Sequence, residues 1–135
     1  MVFAKEMLTA KEQLEKMGHE VLIPIDTLEC LKNPKLNESI EHCENFSDID
    51  VDLDHFQKVA DSDAIIVLNY SKNGLNGYIG GATLMEIAIA RHYGKKIFIL
   101  NELPSEDDIR YVLEIKLTKP TILNGDISNI QNHTQ

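Results

Sequence analysis

The fold is decided by residues Ala60–Pro104, which read ADSDAIIVLNYSKNGLNGYIGGATLMEIAIARHYGKKIFILNELP. Within it, the almost entirely apolar run Asp63–Asn69 predicts a parallel strand that is covered on both faces. Residues Ser71–Gly81 hold four of the seven glycines and predict a loop. Ala82–Tyr93 then predicts a helix, and Lys96–Leu100 predicts the next buried strand. This order of strand, loop, helix and strand is typical of a parallel α/β unit.

The residues before this stretch predict three further helices and a strand. Apolar residues at four-three spacing predict a helix over 3–17, with Gly18 as its stop. Glu20–Ile25 (EVLIPI) predicts a short strand, whose end is marked by Pro24. Residues 26–48 are polar and predict a long excursion with a short helix around Asn37–Glu44. Asp54–Ala60 predicts a helix with Phe56 and Val59 facing inward.

The residues after this stretch complete the predicted architecture. Ser105 and the three acids that follow it predict a helix N-terminus, and the helix is expected to reach Lys116. Thr121–Leu123 predicts a last short strand, and residues 126–135 are expected to be a frayed tail. The alternation of strands and helices predicts a single α/β domain over residues 1–135. We expect a flavodoxin-like or Rossmann-like three-layer sandwich with a parallel sheet and right-handed crossovers.

Composition narrows the classes of partner. The chain has 135 residues and a formal net charge of −9, so it is a poor candidate for binding a nucleic-acid backbone. No apolar run approaches the roughly 18–20 residues of a membrane span. The two cysteines form no CxxC pair, and the first ten residues lack an apolar leader core, which predicts a reduced, cytoplasmic protein. No metal or cofactor is expected.

Glu86 is the most informative side chain. One helical turn away from it lie Ala82, Thr83, Ile89 and Ala90. None of these neighbours can pair with a carboxylate charge. The rest of the helix is apolar, so we expect it to be buried nearly all round and the carboxylate to be poorly solvated. Small neighbours leave room for a ligand. The structural alternative is a glutamate that reaches a backbone amide or an arginine elsewhere in the fold.

The glycine-rich loop is the second candidate element. It leaves the carboxyl end of a strand and enters a helix, which is where ligands bind in open α/β sheets. Gly80 and Gly81 allow backbone amides to approach a ligand, and the helix N-terminus favours an anion. We expect these amides, together with Asn69, Asn76 and Tyr78, to hold sugar, phosphate or base. A plain flexible turn is the alternative.

An acidic run precedes the predicted helix at Asp54. Asp48, Asp50, Asp52 and Asp54 alternate with apolar residues, but the positions that would need Gly and Glu in a Ca²⁺ loop hold Leu53 and Val59. A solvated acidic segment is therefore expected. Asp54 and His55 at its end are candidates for a proton donor or a ligand contact.

Two segments together resemble the nucleoside 2-deoxyribosyltransferase-like proteins. They are Ala60–Pro104, with its aspartate-led strand, Gly-Gly loop and helical glutamate, and Phe3–Asp26 (FAKEMLTAKEQLEKMGHEVLIPID). Family members usually begin with a strand and a Gly/Ser turn before the helix at Phe3, for which this sequence offers no match. The loop Tyr70–Ile79 is also longer than is typical.

The resemblance implies an activity. Glu86 corresponds to the family's catalytic nucleophile, which attacks the anomeric carbon of a nucleoside or nucleotide and releases or exchanges the base. Asp54 or His55 is the nearest match to the family's upstream aspartate and would protonate the departing base. The family also implies a homo-oligomer in which a neighbour completes the pocket.

A second resemblance concerns Gly80–Glu86 (GGATLME). It is similar to the G-G-x-G-T-x-x-E signature of phosphoribohydrolases, although it is one residue short and lacks the third glycine. Those enzymes also break an N-glycosidic bond. The alternative to an enzyme is a non-catalytic nucleotide-binding or sensing module.

Overall fold

A computed structural model describes residues 4–23 and 51–133 of the chain. The contacts divide the chain into two compact units, Met1–Lys58 and Val59–Gln135, and each unit is described by itself.

The first unit opens with helix α1, Ala4–Lys16, which confirms the predicted N-terminal helix. Its buried residues are Ala4, Ala10 and Leu14, which recur at the spacing of one helical face. The chain turns away from the helix at Gly18, whose φ of 97° lies in the left-handed region that glycine adopts without a steric penalty. The amide of the next residue, His19, donates to the Leu14 carbonyl at 3.1 Å and closes the helix end.

The strand predicted at Glu20–Ile25 is not formed by its described residues, 20–23. The Ile23 carbonyl accepts a hydrogen bond of 3.0 Å from the Lys58 ammonium, so its polar group is satisfied by a side chain instead of a strand ladder. The rest of this predicted strand, the polar excursion over 26–48 and the helix around Asn37–Glu44 lie outside the described residues.

Helix α2, Val51–Asp61, confirms the helix predicted at Asp54–Ala60 and begins earlier. Asp54 and Lys58 lie one turn apart and form an ion pair of 3.0 Å, which the i,i+4 geometry of a helix allows. Val59 is buried and Phe56 is half-buried, as the sequence pattern predicted.

The second unit contains a three-stranded sheet formed by β1 (Ala64–Val67), β2 (Lys96–Ile99) and β3 (Thr121–Ile122). The strands lie in the order β1-β2-β3, and both neighbouring pairs are parallel. The predicted strands in these three places are therefore confirmed, each one slightly shorter than expected. The unit is α/β, with a small open parallel sheet.

Helix α3, Gly81–His92, connects β1 to β2 and packs on both strands. Ile87 and Ala90 are fully buried and belong to the core, where they join Val67, Ile97 and Ile99 from the sheet. The expectation that this helix is buried nearly all round was wrong. Met85 is 46% exposed, and Ala82 and Ala88 on the same side are exposed too, because the sheet covers only one side of the helix.

The helix predicted from Ser105 to Lys116 is shorter than expected. Ser105 does act as a cap, since its Oγ accepts the Asp107 amide at 3.1 Å, but only a turn follows it. The helical residues, α4, are Val112–Leu117. Successive aspartates favour caps and turns over helix interiors, because their short side chains compete for backbone hydrogen bonds.

The C-terminal segment is ordered where a frayed tail was expected. Residues Ile127–His133 form a 3₁₀ helix whose inner face buries Ile127 and Ile130, three residues apart. Asp126 caps its start by accepting hydrogen bonds from the Ser128 amide and hydroxyl, and these bonds lower the pKa of the Asp126 carboxyl. Two side-chain hydrogen bonds also hold this segment on the unit, from Asn129 to the Leu123 carbonyl and from Lys96 to the His133 carbonyl, both of 2.7 Å.

Over residues 4–23 and 51–133, no helix is long and apolar enough to cross a membrane.

Candidate functional site

Three asparagines mark the carboxyl edge of the sheet. Val67, Ile99 and Ile122 stand at the same level across the three strands. An asparagine follows two residues after each of them, at Asn69, Asn101 and Asn124. Because the strands are parallel, these residues leave the sheet at one edge, which is the edge where open α/β sheets bind ligands.

Asn69 is fully buried, and its side-chain amide is engaged by the fold. Its Oδ1 accepts the Asn101 backbone amide at 2.8 Å, and its Nδ2 donates to the Asn101 carbonyl at 2.8 Å. The same Nδ2 also lies 3.4 Å from the Gly77 carbonyl. Asn69 therefore joins the ends of β1 and β2 to the loop between β1 and α3.

This loop, residues 70–80, is here called the site loop. Its tip, residues 72–75, is a tight turn closed by two backbone hydrogen bonds between Lys72 and Leu75, of 3.1 and 3.0 Å. The two central residues, Asn73 and Gly74, have φ values of 54° and 78°. Two consecutive left-handed residues of this type, Asn-Gly, are characteristic of a tight two-residue hairpin turn.

The base of the site loop, which follows the tip, lies close to the chain after β2 at Gly77. Its φ is 75°, and a Cβ added there would lie 2.3 Å from the Glu102 carbonyl oxygen and 3.3 Å from the Pro104 ring. Only glycine fits this position, because both the backbone conformation and the space exclude a side chain. The base of the loop is therefore packed directly against the segment that follows β2.

Tyr111 holds the end of the site loop. Its hydroxyl donates a hydrogen bond to the Ile79 carbonyl, immediately before Gly80. Burial, and then the neighbouring phenol of Tyr78, raise the pKa of Tyr111 above its usual value of 10.0. The neutral phenol that donates to Ile79 is thus the favoured form of Tyr111.

Tyr78 lies against the start of α3. A Cβ added at Gly80 would lie 3.5 Å from the Tyr78 hydroxyl, so the Tyr78 ring covers this face of Gly80 at van der Waals distance. The Lys72 ammonium lies 5.2 Å from the centre of the Tyr78 ring, in a cation–π contact. Asn76 is exposed and accepts a hydrogen bond from the Ser71 hydroxyl, so it supports the outer part of the loop.

The N-cap residue of α3 supplies no side-chain cap. The N-cap residue is Gly80, in an extended conformation, and its carbonyl accepts the Leu84 amide at 3.0 Å. The amides of Gly81, Ala82 and Thr83 precede the first helical hydrogen bond and carry the partial positive charge of the helix end. A glycine at the cap leaves this end accessible in a way that a serine or aspartate would not.

Glu86 lies on the border between the buried and the exposed side of α3. It is half-buried, with buried Ala90 one turn ahead and exposed Ala82 one turn behind. Counted along the helix axis, it is about 7–9 Å from Gly80 and Gly81, at about 1.5 Å per residue. A ligand the size of a nucleoside spans this distance, so the structure keeps Glu86 and the helix N-terminus together on one element.

Asp54 and His55 belong to the first unit. They are consecutive on α2, both are half-buried, and Asp54 is paired with Lys58. Their roles in proton donation stay predictions.

Sequence reasoning missed Asn101 and Tyr111, which organise the site loop. Asn101 occupies the same position after β2 as Asn69 does after β1, and this repeated offset was a usable signal. Tyr111 offered none, because its contact with Ile79 spans 32 residues.

The described ranges 4–23 and 51–133 contain no group of three or more His, Cys, Asp or Glu side chains that could hold a metal ion. In comparisons with known proteins, no family model, no curated protein and no solved structure matches this chain.

Proposed function

We propose that this protein breaks or transfers the N-glycosidic bond of a nucleoside or nucleotide, with Glu86 as the nucleophile. The observation that carries the proposal is the position of Glu86, half-buried and, along the helix axis, about 7–9 Å from the N-terminus of α3, where the N-cap residue is Gly80. Both groups follow a parallel strand at its carboxyl end. The resemblance to the nucleoside 2-deoxyribosyltransferase-like proteins, which rests on the same residues, supports the same reaction.

The reaction takes place in two displacements. The Glu86 carboxylate attacks the anomeric carbon, and the bond from that carbon to the base nitrogen breaks with its electron pair leaving on the base, which takes up a proton. Water or a second base then attacks the glycosyl–glutamate ester and returns the carboxylate. Asp54 or His55 is proposed as the group that protonates the departing base.

We propose different tasks for the predicted binding residues. The amides around Gly80 and Gly81 would hold a phosphate or a sugar hydroxyl, because the helix end favours negative charge. Tyr78 and Asn76 are proposed to contact the sugar or base from the loop. Asn69 takes part indirectly, since its amide is bonded to backbone groups and fixes the loop that carries the others.

The rest of the proposal concerns the whole chain. We propose a flavodoxin-like three-layer sandwich, a cytoplasmic location and a homo-oligomer in which a neighbour completes the pocket. Light scattering after size-exclusion chromatography measures the oligomeric state, and a monomer at micromolar concentration would contradict that part.

Base release tests the activity. The wild type is incubated with a panel of nucleosides and 5′-nucleotides, and free base is quantified by chromatography. Glu86→Gln keeps the shape of the side chain and removes the nucleophile, so release should fall by about a thousandfold or more. Glu114→Gln, an exposed glutamate on α4, is the matched control and should keep full activity.

A covalent intermediate would give direct support. A nucleoside fluorinated at the 2′ position slows the second displacement, so the glycosyl group should accumulate on the peptide that contains Glu86 and be detected by mass spectrometry. If the wild type releases base from no member of the panel but binds one of them by calorimetry, the enzyme proposal fails and the binding module takes its place.

A further inference from the structure

We propose that Asn73, at the tip of the site loop, is a site of spontaneous deamidation. The chain contains three Asn-Gly pairs, at residues 73–74, 76–77 and 124–125. Asparagine followed by glycine is the pair in which the next backbone nitrogen reaches the side-chain carbonyl carbon most easily, because glycine has no side chain in the way. The structure distinguishes the three pairs.

The reaction needs no enzyme and balances with water alone. The Gly74 backbone nitrogen loses its proton and attacks Cγ of Asn73, the Cγ–Nδ2 bond breaks, and ammonia leaves. The resulting five-membered succinimide is then opened by water at either carbonyl. One opening yields aspartate, and the other yields isoaspartate, in which the backbone runs through the side-chain methylene.

The pair Asn73–Gly74 is exposed, and no hydrogen bond within residues 51–133 restrains its two reacting groups. Asn73 and Gly74 are both exposed, and a Cβ at Gly74 would meet nothing within 4 Å. Within residues 51–133, the Gly74 amide donates to no acceptor and the Asn73 side chain makes no hydrogen bond. The two bonds between Lys72 and Leu75 are all that the attacking nitrogen must loosen.

The other two pairs are restrained by hydrogen bonds and packing. The Gly125 amide, which would be the attacking nitrogen at Asn124, donates to the Leu100 carbonyl at 2.8 Å. Gly77 is buried with its carbonyl near Asn69 Nδ2, and the Asn76 side chain accepts a hydrogen bond from Ser71. The hydrogen bond of the Gly125 amide must break before that nitrogen can attack, and attack at Asn76 requires the buried Gly77 backbone to move. Release of one hydrogen bond of ordinary net strength slows the reaction by about tenfold.

The product changes the site loop in two ways. It adds one negative charge beside Lys72, whose ammonium lies against the Tyr78 ring. The isoaspartate form also lengthens the backbone within a two-residue turn, which cannot then keep both hydrogen bonds between Lys72 and Leu75. The modification thus acts on the loop that leads to Gly80.

The test uses the full chain as its own control. The folded protein is incubated at neutral pH and physiological temperature, sampled over weeks and digested. Mass spectrometry then follows the replacement of NH₂ by OH in each Asn-Gly peptide. We expect Asn73 to react about tenfold faster than Asn76 and Asn124 in the folded protein. In a urea-unfolded sample the three should react at similar rates.

Three outcomes would overturn the proposal. They are equal rates at the three sites in the folded protein, a faster reaction at Asn76 or Asn124, and no reaction at Asn73 while the unfolded sample reacts. The Asn73→Gln variant should abolish the fast phase and leave the two slow sites unchanged. None of these measurements depends on base release. The deamidation proposal can therefore fail while the proposed activity holds, and the reverse is also possible.

Discussion

The base and the tip of the site loop are built from the same residue types but are held in opposite ways. Each contains an Asn-Gly pair with a left-handed glycine, Gly77 in the base and Gly74 in the tip. Gly77 is packed against the Glu102 carbonyl, and its own carbonyl accepts a hydrogen bond from Asn69, whereas a Cβ added at Gly74 would meet nothing within 4 Å. The comparison shows that an Asn-Gly pair indicates a turn, and that distant contacts decide how rigid this turn is.

The largest expected effect on stability comes from replacing Gly77 by alanine, and Gly74→Ala is the matched comparison. Gly77→Ala combines the left-handed penalty with a clash against backbone at 2.3 Å, and should lower the free energy of unfolding by about 3 kcal/mol or more. Gly74→Ala carries the conformational penalty alone, about 1 kcal/mol. Urea unfolding of both variants measures the difference, and equal losses would contradict the packing of Gly77.

Removal of the Asn69 amide should have the next largest effect. Asn69→Ala leaves the Asn101 amide and carbonyl without their buried partner, and should cost about 2–3 kcal/mol of unfolding free energy. Asn76→Ala removes an exposed side chain of the same kind, and should change stability by less than about 0.5 kcal/mol. The same urea titrations compare the two variants. An Asn69→Ala variant as stable as the wild type would rule out the structural role of Asn69.

Loss of the Tyr111 hydroxyl should have a smaller effect. Tyr111→Phe removes the hydrogen bond to the Ile79 carbonyl, which is worth about 1 kcal/mol. Phe keeps the ring and so preserves the packing of the tyrosine. A variant as stable as the wild type at neutral pH would contradict the bond.

The pH dependence of stability separates this bond from simple packing. The folded pKa of Tyr111 is raised, so the unfolded chain loses the proton first as pH rises. The stabilisation is therefore fully present below pH 10.0 and is lost as pH rises from there through the folded pKa. Thermal unfolding of wild type and Tyr111→Phe across this range should converge at high pH. Parallel curves would indicate that the hydroxyl contributes nothing.

The central α/β unit was predictable because its signals are local. Apolar strands at Ala64–Val67 and Lys96–Ile99, with an apolar helix between them, can be recognised from short windows of sequence. The 3₁₀ helix at Ile127–His133 was missed because two isoleucines three apart are too weak a pattern. The short α4 was overestimated because Ser105 caps a turn as readily as a helix.

The site was only partly predictable. Glu86 and the Gly-Gly pair are candidates from the sequence because a carboxylate among apolar residues and adjacent glycines are unusual, and their roles stay predictions. The engagement of Asn69 was not foreseen, because an amide side chain suits a ligand and a backbone group equally well. Its partner, Asn101, lies 32 residues further along the chain, and only the parallel pairing of β1 and β2 brings the two together.

The hydrogen bond from the Asn101 amide to the Asn69 side chain has a consequence for how opening of the site loop is observed. Most backbone amides near a strand exchange with solvent when the strand pairing breaks, but this amide is protected by the side chain of Asn69, which lies between β1 and the site loop. Its hydrogen-exchange rate therefore reports the separation of Asn69 from the end of β2. A single resonance in a nitrogen-correlated spectrum thus reads out the opening of the candidate site, independently of any substrate.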